Sequence, residues 1–195
     1  MMIDVLVFDG CEALDAIGPY EVLAYGGIDV RAVTCTEQRL VRTAQGLELQ
    51  AQAPRDGVEW LVVPGGAWDN RDANPRGEAA SGAVGAFARA HHRRGGKLAA
   101  VCTGALWLAE ASLIGERPAT THHQYWDVLA GMGADVRRGK RVVDDGDLVT
   151  SGGVASGMYL GLHLVERLVS VNARRAVESE IELPDIPNVN SIKPR

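Results

Sequence analysis

The stretch AAVCTGALWL, residues 99–108, is the one on which the reading of this chain turns. Lys97–Val101 is an apolar run of strand length, and residues 104–111 follow at once as a nearly all-apolar helix, with Cys102 at the corner and Gly104 just inside it. A strand, a nucleophilic side chain and a helix in immediate succession form the layout of a nucleophile elbow, best known with serine in G-x-S-x-G. Such a corner pushes the side chain out into a pocket, and the helix N-terminus behind it offers free N–H groups and positive potential. Both favour a thiolate, and a cysteine so placed can fall from about 8.5 to ~3.5–7.5 in pKa. The competing reading makes Cys102 a small buried hydrophobe, as free cysteines often are.

Outward from the elbow the same alternation repeats. Residues 3–8 read as a strand and residues 14–25 as a helix with Leu14, Ile17 and Val22 facing the core. Residues 28–36 and Trp60–Val63 read as strands, the second ending at Pro64-Gly65-Gly66. Residues 79–94 read as a helix with Val84, Phe87, Ala88 and His91 on one face, ending in cations and then glycines, as a helix C-terminus prefers. After the elbow come a short strand at 119–121, a helix at 125–132, a strand at Leu148–Ser151 and a helix at 154–169 with a stripe of Met158, Leu162, Val165 and Val169. Gly157 and Gly161, one turn apart, suit close approach of that helix to the sheet. Segments 41–50 and 136–143 read as hairpin-like excursions. Alternating β and α with apolar strands implies an α/β fold in which a mostly parallel central sheet is covered by helices on both faces.

The chain has 195 residues with 46% apolar and 23% charged, which suits a single globular domain over residues 1–183 and excludes a disordered or fibrous chain. Its net charge of −5 has the wrong sign for tracking phosphates, so nucleic acid is excluded as the main partner. Cys11, Cys35 and Cys102 form an odd set with no CxxC pair and no His at zinc spacing; they read as reduced thiols in a cytosol, with no metal. The opening MMIDVLVFDG reads as a first strand rather than a signal peptide, so the mature chain is expected to start there. The stretch 148–165 lacks formal charge but carries Thr150, Ser151, Ser156 and His163, which argues against a membrane span. Residues 184–195, with three prolines and no period, read as a C-terminal tail.

In an open parallel sheet, ligands gather at the carboxyl ends of the strands. Besides the elbow, three such ends carry candidate chemistry. FDGCEALDAIGPYEVL, residues 8–23, sets Glu12 and Asp15 ahead of a helix, as carboxyls at a strand end or, in the commoner role for Asp15, as a helix cap. VVPGGAWDN, residues 62–70, exposes the backbone N–H groups of Gly65 and Gly66 in the manner of an oxyanion hole, or forms a plain tight turn. ATTHHQYW, residues 119–126, puts His122 and His123 just past a strand, as pocket residues or as hydrogen-bonded structural ones. All four segments fall on one edge of the sheet.

Together LDAIGPYEVL, VVPGG, the run from AAVCTGALWL to THHQYWDVL, and LVTSGGVASGMYLGLHLVERL resemble the ThiJ/PfpI superfamily, and within it the isonitrile hydratase branch. The resemblance spans nearly the whole chain to about Val169. It implies a flavodoxin-like, class I glutamine amidotransferase-like three-layer sandwich, usually a homodimer, with Cys102 as the elbow nucleophile. It further implies Asp15 as the acidic residue bonded to that cysteine, Thr103 as the threonine that follows it in the hydratases, and the N–H groups of Gly66 and Thr103 as an anion-binding pair. Two departures bear on the chemistry. The protease-like branch follows its cysteine with His, whereas Thr103 stands here, and no His-x-Glu of the amidotransferases follows His163. Amide hydrolysis loses support, and a fused DNA-binding domain would need more chain.

The expectation is therefore a cysteine-dependent hydratase or lyase that adds water to a small electrophile, an isonitrile giving an N-substituted formamide, with Cys102 as nucleophile, Asp15 as acid/base and Thr103 orienting water. No cofactor motif is present. The alternatives are a redox-sensing stress-response protein acting through oxidation of Cys102 and a glyoxalase or deglycase acting on reactive aldehydes.

Overall fold

A computed structural model describes residues 1–37, 39–66, 68 and 75–183, with the side chains of 75–81 outside the description. The segment expected to form a tail, 184–195, also lies outside the described residues.

The main sheet has six strands in the order β2 (Asp29–Val33), β1 (Met2–Leu6), β5 (Trp60–Val63), β6 (Lys97–Val101), β10 (Leu148–Ser151) and β9 (Val142–Asp144). All neighbours run parallel except β9, which pairs antiparallel with β10 at one edge. Every residue of β5 and β10 is buried, as are the last four of β6. That absence of in-out alternation is what a strand covered on both faces shows. Helices α1 (Ala13–Tyr25), α5 (Ser156–Leu168) and α6 (Val171–Glu180) pack in sequence on one another, as do α2 (Pro75–Arg93), α3 (Gly104–Glu110) and α4 (Trp126–Gly131). The result is a three-layer α/β fold. From β1 the chain moves to β2 on one side and then crosses to β5 on the other, so strand order reverses between β1 and β5. That reversal opens a crevice at the carboxyl ends, where α1 and the turn after β5 begin.

Helix α3 is pinned over this edge by Trp107, a fully buried side chain that meets Phe8 edge-on at 6.4 Å and Trp68 at 4.8 Å. Its rings thus tie together the ends of β1, β5 and β6, the three strands that carry the candidate residues.

Several sequence expectations need correction. Leu14 is not core: it is 38% exposed, because the buried face of α1 runs through Asp15, Ala16, Gly18, Pro19, Val22 and Leu23. Val169 is likewise 52% exposed, one residue past the end of α5. Gly157 and Gly161 admit helix α1 as much as the sheet. A Cβ on Gly161 would lie 2.9 Å from Val22 Cβ, and one on Gly157 would meet Pro19 at 3.0 Å and Val101 at 3.3 Å. Segment 41–50 does form a hairpin, β3 (Leu40–Arg42) with β4 (Glu48–Gln50). Segment 136–143 does not: β8 (Asp135–Val136) pairs with β7 (Pro118–Ala119), whereas β9 joins the main sheet. Helix α6 has no counterpart in the sequence reading. Ser170 caps it by accepting the Ala173 N–H at 3.0 Å, and Val177 is its buried residue.

Candidate active site

Cys102 sits on the corner between β6 and α3 with φ +57°, in the left-handed region that a β-carbon disfavours. Such a conformation costs of order 1–3 kcal/mol and persists only where its surroundings over-determine it. Three bonds do so here. The Cys102 N–H donates to the Ser151 carbonyl at 3.2 Å and the Gly152 carbonyl at 3.1 Å, and the Cys102 carbonyl accepts the Thr121 hydroxyl at 2.7 Å. The end of β10 and the loop after β7 thus hold the corner. Val154, also at positive φ (+45°), brings its N–H towards the sulfur from the turn after β10.

Asp15 comes from the other side of the crevice. The N-cap of α1 is Glu12, which makes no side-chain capping bond, and Asp15 lies in the first turn, fully buried. Its Oδ2 accepts the Gly65 N–H at 2.9 Å, whereas Oδ1 has no hydrogen-bond partner. Cys102 and the Val154 N–H reach the same carboxyl more weakly. Gly65 must be glycine for this contact: a Cβ there would lie 2.6 Å from Thr103 Oγ1 and 2.8 Å from Asp15 Oδ2. Thr103, also buried, accepts the Gly66 N–H through Oγ1 at 2.9 Å. The pair of backbone donors expected from Gly66 and Thr103 is therefore partly engaged in this structure. Gly66 holds the Thr103 hydroxyl, which keeps its own hydrogen for a further acceptor.

Burial governs the protons of the site. It pushes Asp15 up to about 7, with the Gly65 N–H working the other way and Glu12 adding to the rise. It pushes the Cys102 thiol up to about 12, with the adjacent Asp15 charge adding to the rise and the Thr103 and Val154 N–H groups opposing it. The helix-end argument for a thiolate is outweighed here, because Cys102 is only 7% exposed and α3 is just seven residues long. What the pair holds near neutral pH is a thiol beside a carboxyl that is itself close to its midpoint. The negative charge that such a site gains near neutral pH resides on the Asp15 carboxyl, while the sulfur keeps its proton. Cys11, fully buried, is also pushed up to about 12, and burial raises Cys35.

His122 lies past β7, half-buried, with Nδ1 accepting the Gln124 N–H at 3.4 Å and its ring 4.3 Å from that of His123. It lines a cavity of about 530 Å³ beside the corner, with Thr121, Trp126, Arg141 and the turn Gly152–Val154. Thr121, Gly152 and Val154 are the residues of that lining that contact Cys102. Sequence reasoning missed Thr121, Val154 and Arg141. A threonine beside a histidine pair and a valine after two glycines carry no local chemical signal, and their roles arise only when the ends of β6, β7 and β10 meet. His163, read as the last histidine of an apolar helix, bonds Asp144 at 2.6 Å on the far edge, where Arg167 joins them. Among the described residues no group of three or more His, Cys, Asp or Glu is placed to hold a metal ion, and no helix is long and apolar enough to cross a membrane.

The sequence profile of the DJ-1/PfpI family matches residues 1–167. An isonitrile hydratase of Pseudomonas putida is 32% identical over 198 residues, covering all of this chain and 83% of that protein. Among solved structures, Drosophila melanogaster DJ-1beta aligns with a TM-score of 0.81 at 22% identity over 94% of this chain and 98% of that one. A ThiJ/PfpI family protein from Pseudomonas syringae aligns with a TM-score of 0.74 at 27% identity over 96% of this chain and 77% of its own.

Proposed function

The chain belongs to the DJ-1/PfpI family, and from that premise we propose that it is a cysteine-dependent hydratase that converts a small isonitrile to the N-substituted formamide. The observation that carries this reading is the fully buried Asp15, fixed by Gly65 through one oxygen and unpartnered at the other, beside a strained nucleophile. A side chain used only as a cap has no reason to bury a titratable oxygen without a partner.

The chemistry follows from the shared proton. The terminal isonitrile carbon is electrophilic, and the Cys102 sulfur closes an S–C bond to it while the thiol proton passes to Asp15. Asp15 returns that proton to the same carbon, which leaves the thioimidate Cys102–S–CH=N–R. Water then adds across the C=N bond, its oxygen to carbon and a proton to nitrogen, with the Thr103 hydroxyl positioned to orient it. Collapse of the adduct breaks the S–C bond, and the hydroxyl proton returns through Asp15 to sulfur as the formamide R–NH–CHO departs. One isonitrile and one water are consumed, and the pair is restored. Because the thiol is protonated at rest, Asp15 acts first as base and then as acid. This order fits a carboxyl held near neutrality better than one in the ordinary carboxylate range.

The redox-sensing and the glyoxalase or deglycase alternatives would use the same sulfur, so the test is a panel run on wild type and on Cys102→Ala. It comprises a small alkyl isonitrile with formamide detected by NMR, methylglyoxal with lactate detected, and peroxide with intact mass. Formamide production that is abolished in Cys102→Ala is the expected result. Lactate production without formamide, or a gain of two oxygens on Cys102 as the sole response, would overturn it.

A further inference from the structure

The cavity beside the elbow has a charge pattern that the hydration chemistry does not use. Lys140 and Arg141 both line it, and among the described residues its lining holds no acidic side chain. Elsewhere on this part of the surface cations are neutralised: Arg137 pairs with Asp135 and Arg138 with Asp127. Lys140 and Arg141 form no ion pair with a carboxylate among the described residues. The Arg141 guanidinium lies over the Tyr159 ring, 4.4 Å from its centroid, a contact that holds it without consuming its charge. At the inner end the cavity meets Val154 and Ser156, where the thirteen-residue helix α5 begins; its first N–H groups are taken by the Gly153, Val154 and Ala155 carbonyls, so the helix adds its dipole and no free donor. On the other wall stand His122, His123 and Trp126. Two cations without a carboxylate partner line one cavity, whose Thr121 and Gly152 bond the Cys102 main chain and whose Val154 N–H approaches the sulfur, and this arrangement forms a place for a compact anion.

We propose that this cavity is an anion subsite and that the substrate carries a carboxylate, which Lys140 and Arg141 hold while its reactive carbon reaches Cys102. The inference rests on the hydratase reading for the reaction and on the cavity alone for the anion. Lys140 acts as a point charge and Arg141 as the fixed fork, so the pair selects charge first and geometry second. Val154, which touches both the cavity and the sulfur, sets the separation between the held carboxylate and the attacked carbon.

The test compares isocyanoacetate with its uncharged methyl ester as substrates of wild type, Lys140→Met, Lys140→Arg and Arg141→Met. Binding of N-formylglycine is measured in parallel by calorimetry on the same proteins. The expected result is a kcat/KM for isocyanoacetate about tenfold to a hundredfold above that for the ester, the range of a charge-assisted contact. That preference is lost in Lys140→Met, kept in Lys140→Arg, and reduced in Arg141→Met at an unchanged melting temperature. N-formylglycine then binds wild type and not Lys140→Met. Equal turnover of acid and ester that is insensitive to Lys140 would overturn the subsite and leave the hydratase reading standing. Binding of N-formylglycine that depends on Lys140, with neither isonitrile turned over, would uphold the subsite and overturn the hydratase reading. Absence of both turnover and binding would overturn both.

Discussion

At the scale of single residues, Asp15 is where the account commits itself. In the sequence a helix cap was the commoner reading of an aspartate at that spot, and only the family resemblance made it a partner for the cysteine. What separates the two is burial and the Gly65 N–H, supplied by the turn after β5, fifty residues away. Cys102 was legible because the strand-corner-helix pattern is local. The contact of Thr103 with Gly66 was not, because it joins two corners that meet only in the folded sheet. The raised Asp15 has a thermodynamic consequence. From about pH 4 to about pH 7 the folded protein keeps a proton on Asp15 that the unfolded chain has released. This group therefore stabilises the fold in acid, and that contribution is lost as pH rises through about 7. Asp15→Asn still accepts the Gly65 N–H but cannot ionise. It should match wild type below pH 4 and exceed it by about a few kcal/mol above pH 7, which melting curves across that range will show. An advantage that grows towards acid would contradict the burial argument.

At the scale of elements, the strands Trp60–Val63, Lys97–Val101 and Leu148–Ser151 were readable to the residue, because each is a short apolar run closed by Pro, Gly or a polar corner. Helix α6 was not, since Val177 is its one buried side chain and only one residue, Ser170, follows Val169 before it begins, so the two helices run together in the sequence. Strands β8 and β9 were merged into one excursion because their partners, β7 and β10, lie elsewhere in the chain. The turn after β5 is the element on which the site depends most. Gly65→Ala would drive a methyl group to within 3 Å of both Thr103 and Asp15. The expected outcome is a loss of ~1–3 kcal/mol in stability by denaturant titration, as for other overpacked sites. Activity should fall by far more than the stability loss explains, because the displaced atoms are those of the proposed acid/base and water-orienting groups. A variant that melts early but turns over normally would show the turn to be a packing feature only.

At the scale of the whole molecule, the reversal of strand order between β1 and β5 is what brings Asp15, Gly65 and Cys102 to one edge, and the alternation of apolar strands with helices already implied that edge. The cavity and its cations were not implied, because Lys140 and Arg141 belong to a segment whose course depends on two separate sheets. A homodimer is the expected assembly, the commonest closed symmetry for such a chain. Light scattering at micromolar concentration should give about twice the 20.8 kDa chain mass, and a monomeric value would reject it. The central claim is that this edge joins Asp15 and Cys102 into one proton-sharing pair that turns over substrate. Its most direct test is the rate of isonitrile hydration by Asp15→Asn, measured on folded protein beside wild type. The account predicts a fall of ~10²–10⁴, the contribution of a positioned acid/base, with the fold intact. An unchanged rate would contradict it and leave Cys102 acting without Asp15.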